Sequence, residues 1–119
     1  MRRSYQGPAS VGGAYDAWTA EGVLEHFWGE HIHHGYYPEG QRRGVDFRAA
    51  KVDMVDRLLE WAGVDAAARV LDVGCGIGGS ARHLARRFVA EVEGVTLSEA
   101  QVARAEALTP PGLPVRFRV

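Results

Sequence analysis

The residues best placed to do chemistry lie in one string, Val70-Leu71-Asp72-Val73-Gly74-Cys75-Gly76-Ile77-Gly78-Gly79-Ser80. Glycines at 74, 76 and 78 have no Cβ, so a turn built from them can take positive φ and let a ligand lie against bare backbone. The apolar residues ahead of the turn suit a buried strand, and those behind it suit a helix. That helix aims unpaired N–H groups and the positive end of its dipole at the crevice. A carboxylate or a phosphate fits such a place.

Two cofactors compete for it. Gly74, Gly76 and Gly79 satisfy the dinucleotide pattern G-x-G-x-x-G, which on its own is weak evidence. Asp72 lies two residues before the first glycine, where an anion does nothing for a pyrophosphate but favours a sulfonium or ammonium group. That points to S-adenosylmethionine. Further on, Val95 is followed by Thr96 rather than by the acid that usually holds a ribose. Glu93 is the nearest carboxylate and keeps open an NAD(P)-binding oxidoreductase. Thr96 and Gln101 can instead offer neutral hydrogen bonds to the ribose.

The elements that position these residues are read from periodicity. Residues 1–14 hold Gly7, Pro8, Ser10, Gly12 and Gly13 without a pattern and read as a flexible tail. Residues 15–62 read as a helical cap with a cofactor-covering loop. Its first amphipathic helix carries Trp18, Val23, Leu24, Phe27 and Trp28 and is interrupted by Gly22. Its second runs from about Asp46 to Trp61, where Phe47, Ala50, Met54, Leu58 and Trp61 step by three or four and Val55, Leu59 and Ala62 widen the apolar stripe. Residues 63–119 read as a partial cofactor-binding domain. Arg69–Val73 is a strand, Ser80–Phe88 a helix with Ala81, Leu84, Ala85 and Phe88 inward, and Glu91–Val95 a second strand. Ser98 and Gln101 fit a capping box that opens a further helix. Leu113, Val115, Phe117 and Val119 alternate as a third strand. The expected class is therefore α/β, a helical cap on the first βαβαβ half of a Rossmann-like sheet.

Leu71 to Gly79 resembles the first motif of class I S-adenosylmethionine-dependent methyltransferases. Gly94-Val95-Thr96-Leu97-Ser98-x-x-Gln101 is similar to the branch holding tocopherol methyltransferases and cyclopropane fatty-acid synthases. Tyr15-Asp16 and Phe27-Trp28-Gly29-Glu30-His31-Ile32-His33-His34-Gly35-Tyr36-Tyr37 resemble the N-terminal cap of γ-tocopherol methyltransferase-like enzymes. The resemblance implies methyl transfer to a small hydrophobic acceptor such as a phenol, amine or lipid. It implies that Gly74, Gly76 and Gly78 lie under the methionine part. Thr96 and Gln101 would hold the ribose, Leu97 would lie beside the adenine, and Tyr15 and Cys75 would complete the lining. The family's later strands and most of its substrate pocket have no counterpart in the string. The expectation is the N-terminal part of a larger protein or a truncated product, with an inactive or partner-completed remnant as the alternative. A bare edge on the first strand would then favour self-association.

His26, His31, His33 and His34 with Glu25 and Glu30 lack the spacing of a zinc helix, so no metal is expected. One of His31, His33 or His34 can serve as a base, since imidazole titrates near neutrality, but the sequence does not choose among them. Trp61 reads as core, and Arg42-Arg43, Arg86-Arg87, Asp53 and Asp56 as solvated faces. Cys75 reads as a small buried filler.

The chain has 119 residues with 14 basic against 15 acidic side chains. That balance argues against nucleic acid or an anionic membrane as a bulk partner. One cysteine excludes an internal disulfide framework. With no apolar run long enough for a span, the expected location is the cytoplasm.

Overall fold

The computed structural model describes residues 7–41 and 44–119, so the reading of Arg42-Arg43 lies outside the described residues, as does that of residues 1–6. Among the described residues eight elements follow one another: α1 (Pro8–Glu21), α2 (Val23–Trp28), α3 (Phe47–Trp61), β1 (Arg69–Val73), α4 (Gly79–Phe88), β2 (Glu91–Val95), α5 (Glu99–Leu108) and β3 (Val115–Arg118). The three strands are parallel in the order β1-β2-β3. The α/β class and the βαβαβ order are those the sequence predicts.

Parallel pairing puts Asp72 opposite Gly94 and Gly94 opposite Phe117 in one row across the sheet. That row belongs to the face covered by α4 and α5. Ala81, Leu84, Ala85, Val92, Ala105 and Phe117 form the core there. Side chains of a strand alternate between faces, so Leu71 and Val73 fall on the other side, where they are well exposed. β1 is thus buried on one face only, not on both, and its outer edge carries no partner strand among the described residues.

α5 begins at Ser98, whose hydroxyl accepts from the Gln101 amide at 3.1 Å, the capping geometry that the sequence predicts. α3 begins at Asp46, whose carboxylate accepts from the Arg48 and Ala49 amides. The expected stripe of α3 is covered at Ala50, Val55 and Leu59 but not throughout. Ala50 and Lys51 are buried, whereas Leu58 is 56% and Trp61 87% exposed, so Trp61 is not core. Lys51 is accommodated because its Nζ donates to the Trp28 carbonyl and sits 4.1 Å from the centre of the Phe47 ring. Val119, the last apolar residue of the alternating run, lies just past β3 and is exposed.

The expected tail also differs, because residues 8–14 belong to α1. Pro8 stands at its start, where a missing N–H costs nothing. Tertiary docking then offsets the poor helix propensity of Gly12 and Gly13. A Cβ on Gly12 would run into the Leu97 backbone, so this glycine lets α1 lie against the end of β2. Gly22, at φ 66°, breaks α1 from α2.

Gly12 and Gly13 therefore respond oppositely to the same change. Gly13 has open space at its Cβ position, so Gly13→Ala gains about 0.5–1 kcal/mol in urea melts. Gly12→Ala loses about 1–3 kcal/mol because the helix must shift. Equal effects of the two substitutions would show that α1 does not rest on Leu97.

Candidate functional site

The glycine turn leaves the C-terminal end of β1 and is pinned to the next strand by two amides: Gly74 and Cys75 both donate to the Val95 carbonyl, at 2.8 and 3.0 Å. Gly74, Gly76 and Gly78 have φ of 78°, 55° and 84°, values that side chains strain. Their surroundings differ. At Gly74 and Gly76 a Cβ would meet nothing within 4 Å, so bare backbone faces open space. At Gly78 a Cβ would lie 2.7 Å from Arg82 Nη1 and 2.8 Å from Phe117 Cε1, and at Gly79 it would strike the Glu30 carbonyl group. The first two glycines make the cradle, and the second two let the protein pack onto it.

Asp72 stands behind the cradle, half-buried, with its Oδ2 shielded from solvent and without a hydrogen-bond partner. Burial pushes its carboxyl above the usual carboxylate range, and His33 partly opposes that rise. No arginine or lysine pairs with it among the described ion pairs. The site therefore contains a carboxylate in need of a cation beside open backbone, a donor set that fits the positively charged end of S-adenosylmethionine.

Thr96 and Gln101 meet: the Thr96 hydroxyl donates to Gln101 Oε1 at 2.6 Å, and Gln101 is buried. Leu97, next along the chain, is 52% exposed. Glu93, the residue that kept the dinucleotide reading open, lies on the uncovered sheet face and is paired with Arg118. It is turned away from the glycine turn. Cys75 is buried, and burial with the neighbouring Asp72 pushes its thiol up to about 11, which leaves it inert. Tyr15 on α1 is 40% exposed and edge-on to Trp18.

Asp16, its neighbour, accepts from Ser98 Oγ at 2.5 Å and from the Ala100 amide at 3.0 Å. These bonds hold its carboxyl below the usual range. α1 is thereby tied to the start of α5 beside Leu97.

The histidines sort themselves by environment. His33 Nδ1 donates to the His34 carbonyl at 2.8 Å, which leaves Nε2 as the acceptor of the neutral ring. That nitrogen lies 3.3 Å from His31 Nδ1 and 3.5 Å from Ser80 Oγ. His31 is pushed down to about 4, first by burial and then by His33 and His83. His34 is exposed, and His26 lies edge-on to Phe27. Among the described residues no three His, Cys, Asp or Glu side chains are grouped to hold a metal ion.

Several contributors are not evident from the sequence. Arg82, 1% exposed, donates to Glu30, to the carbonyls of Ile77 and Ala105, and to Thr109. Its one sequence signal is its place next to Ala81 and three residues before Ala85 on an inward helical face. Asp56 is not merely a solvated charge, since it accepts from His83 at 2.7 Å and Arg87 at 3.0 Å and so ties α3 to α4. Phe117 reaches under both Gly94 and Gly78.

Comparisons with known proteins agree with this geometry. The sequence model of the mycolic acid cyclopropane synthetase family matches residues 34–110, well over half of the chain. The 2-methyl-6-phytyl-1,4-hydroquinone methyltransferase of Synechocystis is 47% identical over 98% of this chain and 37% of its own length. The chloroplastic tocopherol O-methyltransferase of Arabidopsis thaliana is 43% identical over 73% of this chain and 28% of its own. Among solved structures, the cyclase SpnF superposes with a TM-score of 0.75 and 32% identity, over 93% of this chain and 42% of that one. The chain thus spans about a third of the length of the curated relatives it matches. With fold and motif in agreement, this chain belongs to the mycolic acid cyclopropane synthetase family, within the class I S-adenosylmethionine-dependent methyltransferases.

Proposed function

We propose that this chain forms the donor-binding portion of a methyltransferase that uses S-adenosylmethionine and acts on a small hydrophobic acceptor, with a phenol-bearing lipid favoured. The observation that carries the reading is Asp72, a half-buried carboxylate with an unpartnered oxygen next to the open backbone of Gly74 and Gly76. The acceptor class is favoured by the hydroquinone and tocopherol methyltransferases among the relatives.

When bound, the donor supplies a methyl group on a positively charged sulfur, which a nucleophile displaces without an enzyme-bound covalent intermediate. The chain's residues bind and orient. Asp72 receives the cationic end, while the glycine backbone admits close approach. Thr96 and Gln101, already hydrogen-bonded to each other, hold the ribose, with Leu97 beside the adenine and Tyr15 completing the lining. His33 is the histidine favoured to take a proton from the acceptor, because its Nε2 carries the lone pair. His31, held neutral by burial, does not compete with the donor's positive charge.

Titration calorimetry with S-adenosylhomocysteine tests the reading. Binding is expected, and Thr96→Val or Gln101→Leu weakens it roughly tenfold, the scale of one lost hydrogen bond in a closed site. Glu93→Ala leaves it unchanged. Binding of NADH in place of S-adenosylhomocysteine, abolished by Glu93→Ala, would establish the dinucleotide alternative instead.

Asp72→Asn should separate stability from binding. An acid whose folded pKa lies above its unfolded value of 3.8 favours the folded state only when protonated. Its cost therefore appears as pH rises from 3.8 through the raised folded value and persists at neutrality. The asparagine variant is expected to melt at a higher temperature than the parent at pH 7, with the gain fading towards pH 3.8, and to lose S-adenosylhomocysteine binding. A destabilised variant at pH 7 would show that Asp72 already has a partner in the protein.

A further inference from the structure

We propose that Arg82 is a positioning residue that clamps the cap segment 29–37 and the glycine turn into one unit, and so sets the shape of the donor site without touching the ligand. The guanidinium is 1% exposed. Its Nη2 and Nε donate to Glu30 Oε2 at 2.8 and 3.2 Å, and its Nη1 donates to the Ile77 carbonyl at 2.9 Å. Nη1 also reaches the Ala105 carbonyl at 3.2 Å and Thr109 Oγ1 at 3.4 Å. One planar fork thus joins the cap, the glycine turn and the last turn of α5, a geometry that suits arginine and not lysine.

The packing points the same way. Gly78 leaves room for the guanidinium and for Phe117, and Gly79 leaves room for the Glu30 backbone and the His31 ring. These two glycines follow the pair that faces open space, so the glycine string serves two partners, an outer ligand and an inner clamp. His31 is half-buried, with its ring against Gly79, and the groups facing it are Glu30 and His33 from its own segment and Arg82 and His83 from α4. Its titration therefore reports whether the segment is seated.

The test compares Glu30→Ala with Glu30→Gln in the full chain. Glu30 is half-exposed at its side chain, so both variants are expected to fold. Both remove the same charge, and that charge raises the His31 pKa. Electrostatics alone would move His31 down equally in both. Only alanine removes the acceptor that Arg82 holds, so unseating the segment relieves burial in that variant alone.

Histidine NMR titration is expected to place His31 near or below its value of about 4 in Glu30→Gln. In Glu30→Ala it should rise by at least about one unit towards 6.5. Arg82→Lys should follow the alanine variant, and if it does not fold the Glu30 pair still decides. Matching titrations for alanine and glutamine would overturn the clamp.

The effect on the donor rests on the proposed function. S-adenosylhomocysteine affinity is expected to fall roughly tenfold in Glu30→Ala and to stay close to the parent's in Glu30→Gln. Unchanged affinity with a released His31 would overturn the link to the donor site. If the parent binds no S-adenosylhomocysteine, the donor reading fails, while the His31 titration still decides the clamp.

Discussion

Arg82 directs its hydrogen bonds to Glu30, Ile77, Ala105 and Thr109, and so leaves Asp72 without a cation of the protein's own. A buried positive charge and a half-buried negative one sit close in sequence and are not paired with each other. A buried guanidinium with several acceptors is tolerated because its donors are satisfied. A half-buried carboxylate with an orphaned oxygen is costly unless something else completes it. The glycine turn makes both arrangements sterically possible, since Gly78 admits the guanidinium and Gly74 and Gly76 leave the space in front of the carboxylate open.

The sheet and the turn were legible because their signals are local. A short apolar run, glycines at fixed spacing and a capping serine each determine their own few residues, and β1, α4, β2 and α5 lie where those signals put them. What the sequence concealed depends on distant partners. The stripe of α3 identifies a helix and its Ala50 is buried, but the stripe does not say how far another element covers it: Lys51 is buried beside Ala50, whereas Leu58 and Trp61 are exposed. Lys51 is readable as buried only once Trp28 and Phe47 are placed around its ammonium. α1 has two adjacent glycines and no amphipathic pattern in its first half, so its helicity depends on Leu97 and on Asp16 reaching α5. Within the site, Asp72, Thr96 and Gln101 were visible in the string. The role of Arg82 was not, because its acceptors come from three separate segments.

The same scaffold supports more than one chemistry. A cyclase superposes on this chain as well as methyltransferases do, so the fold locates the site without naming the reaction. What discriminates is the local electrostatics: an acid at the end of β1 that lacks a cation, a neutral threonine–glutamine pair after β2, and Glu93 engaged with Arg118 on the opposite face. A dinucleotide would place its pyrophosphate beside Asp72 and gain nothing from the pair that replaces the ribose-binding acid.

The claim that Asp72 awaits a positive ligand is most directly examined by following its side-chain carboxyl carbon by NMR through a pH titration, with and without saturating S-adenosylhomocysteine, whose amino group is cationic. The midpoint is expected above 3.8 in the free chain and below it in the complex, as an opposite charge nearby favours the ionised form. A midpoint that does not move when the ligand is bound would contradict that claim.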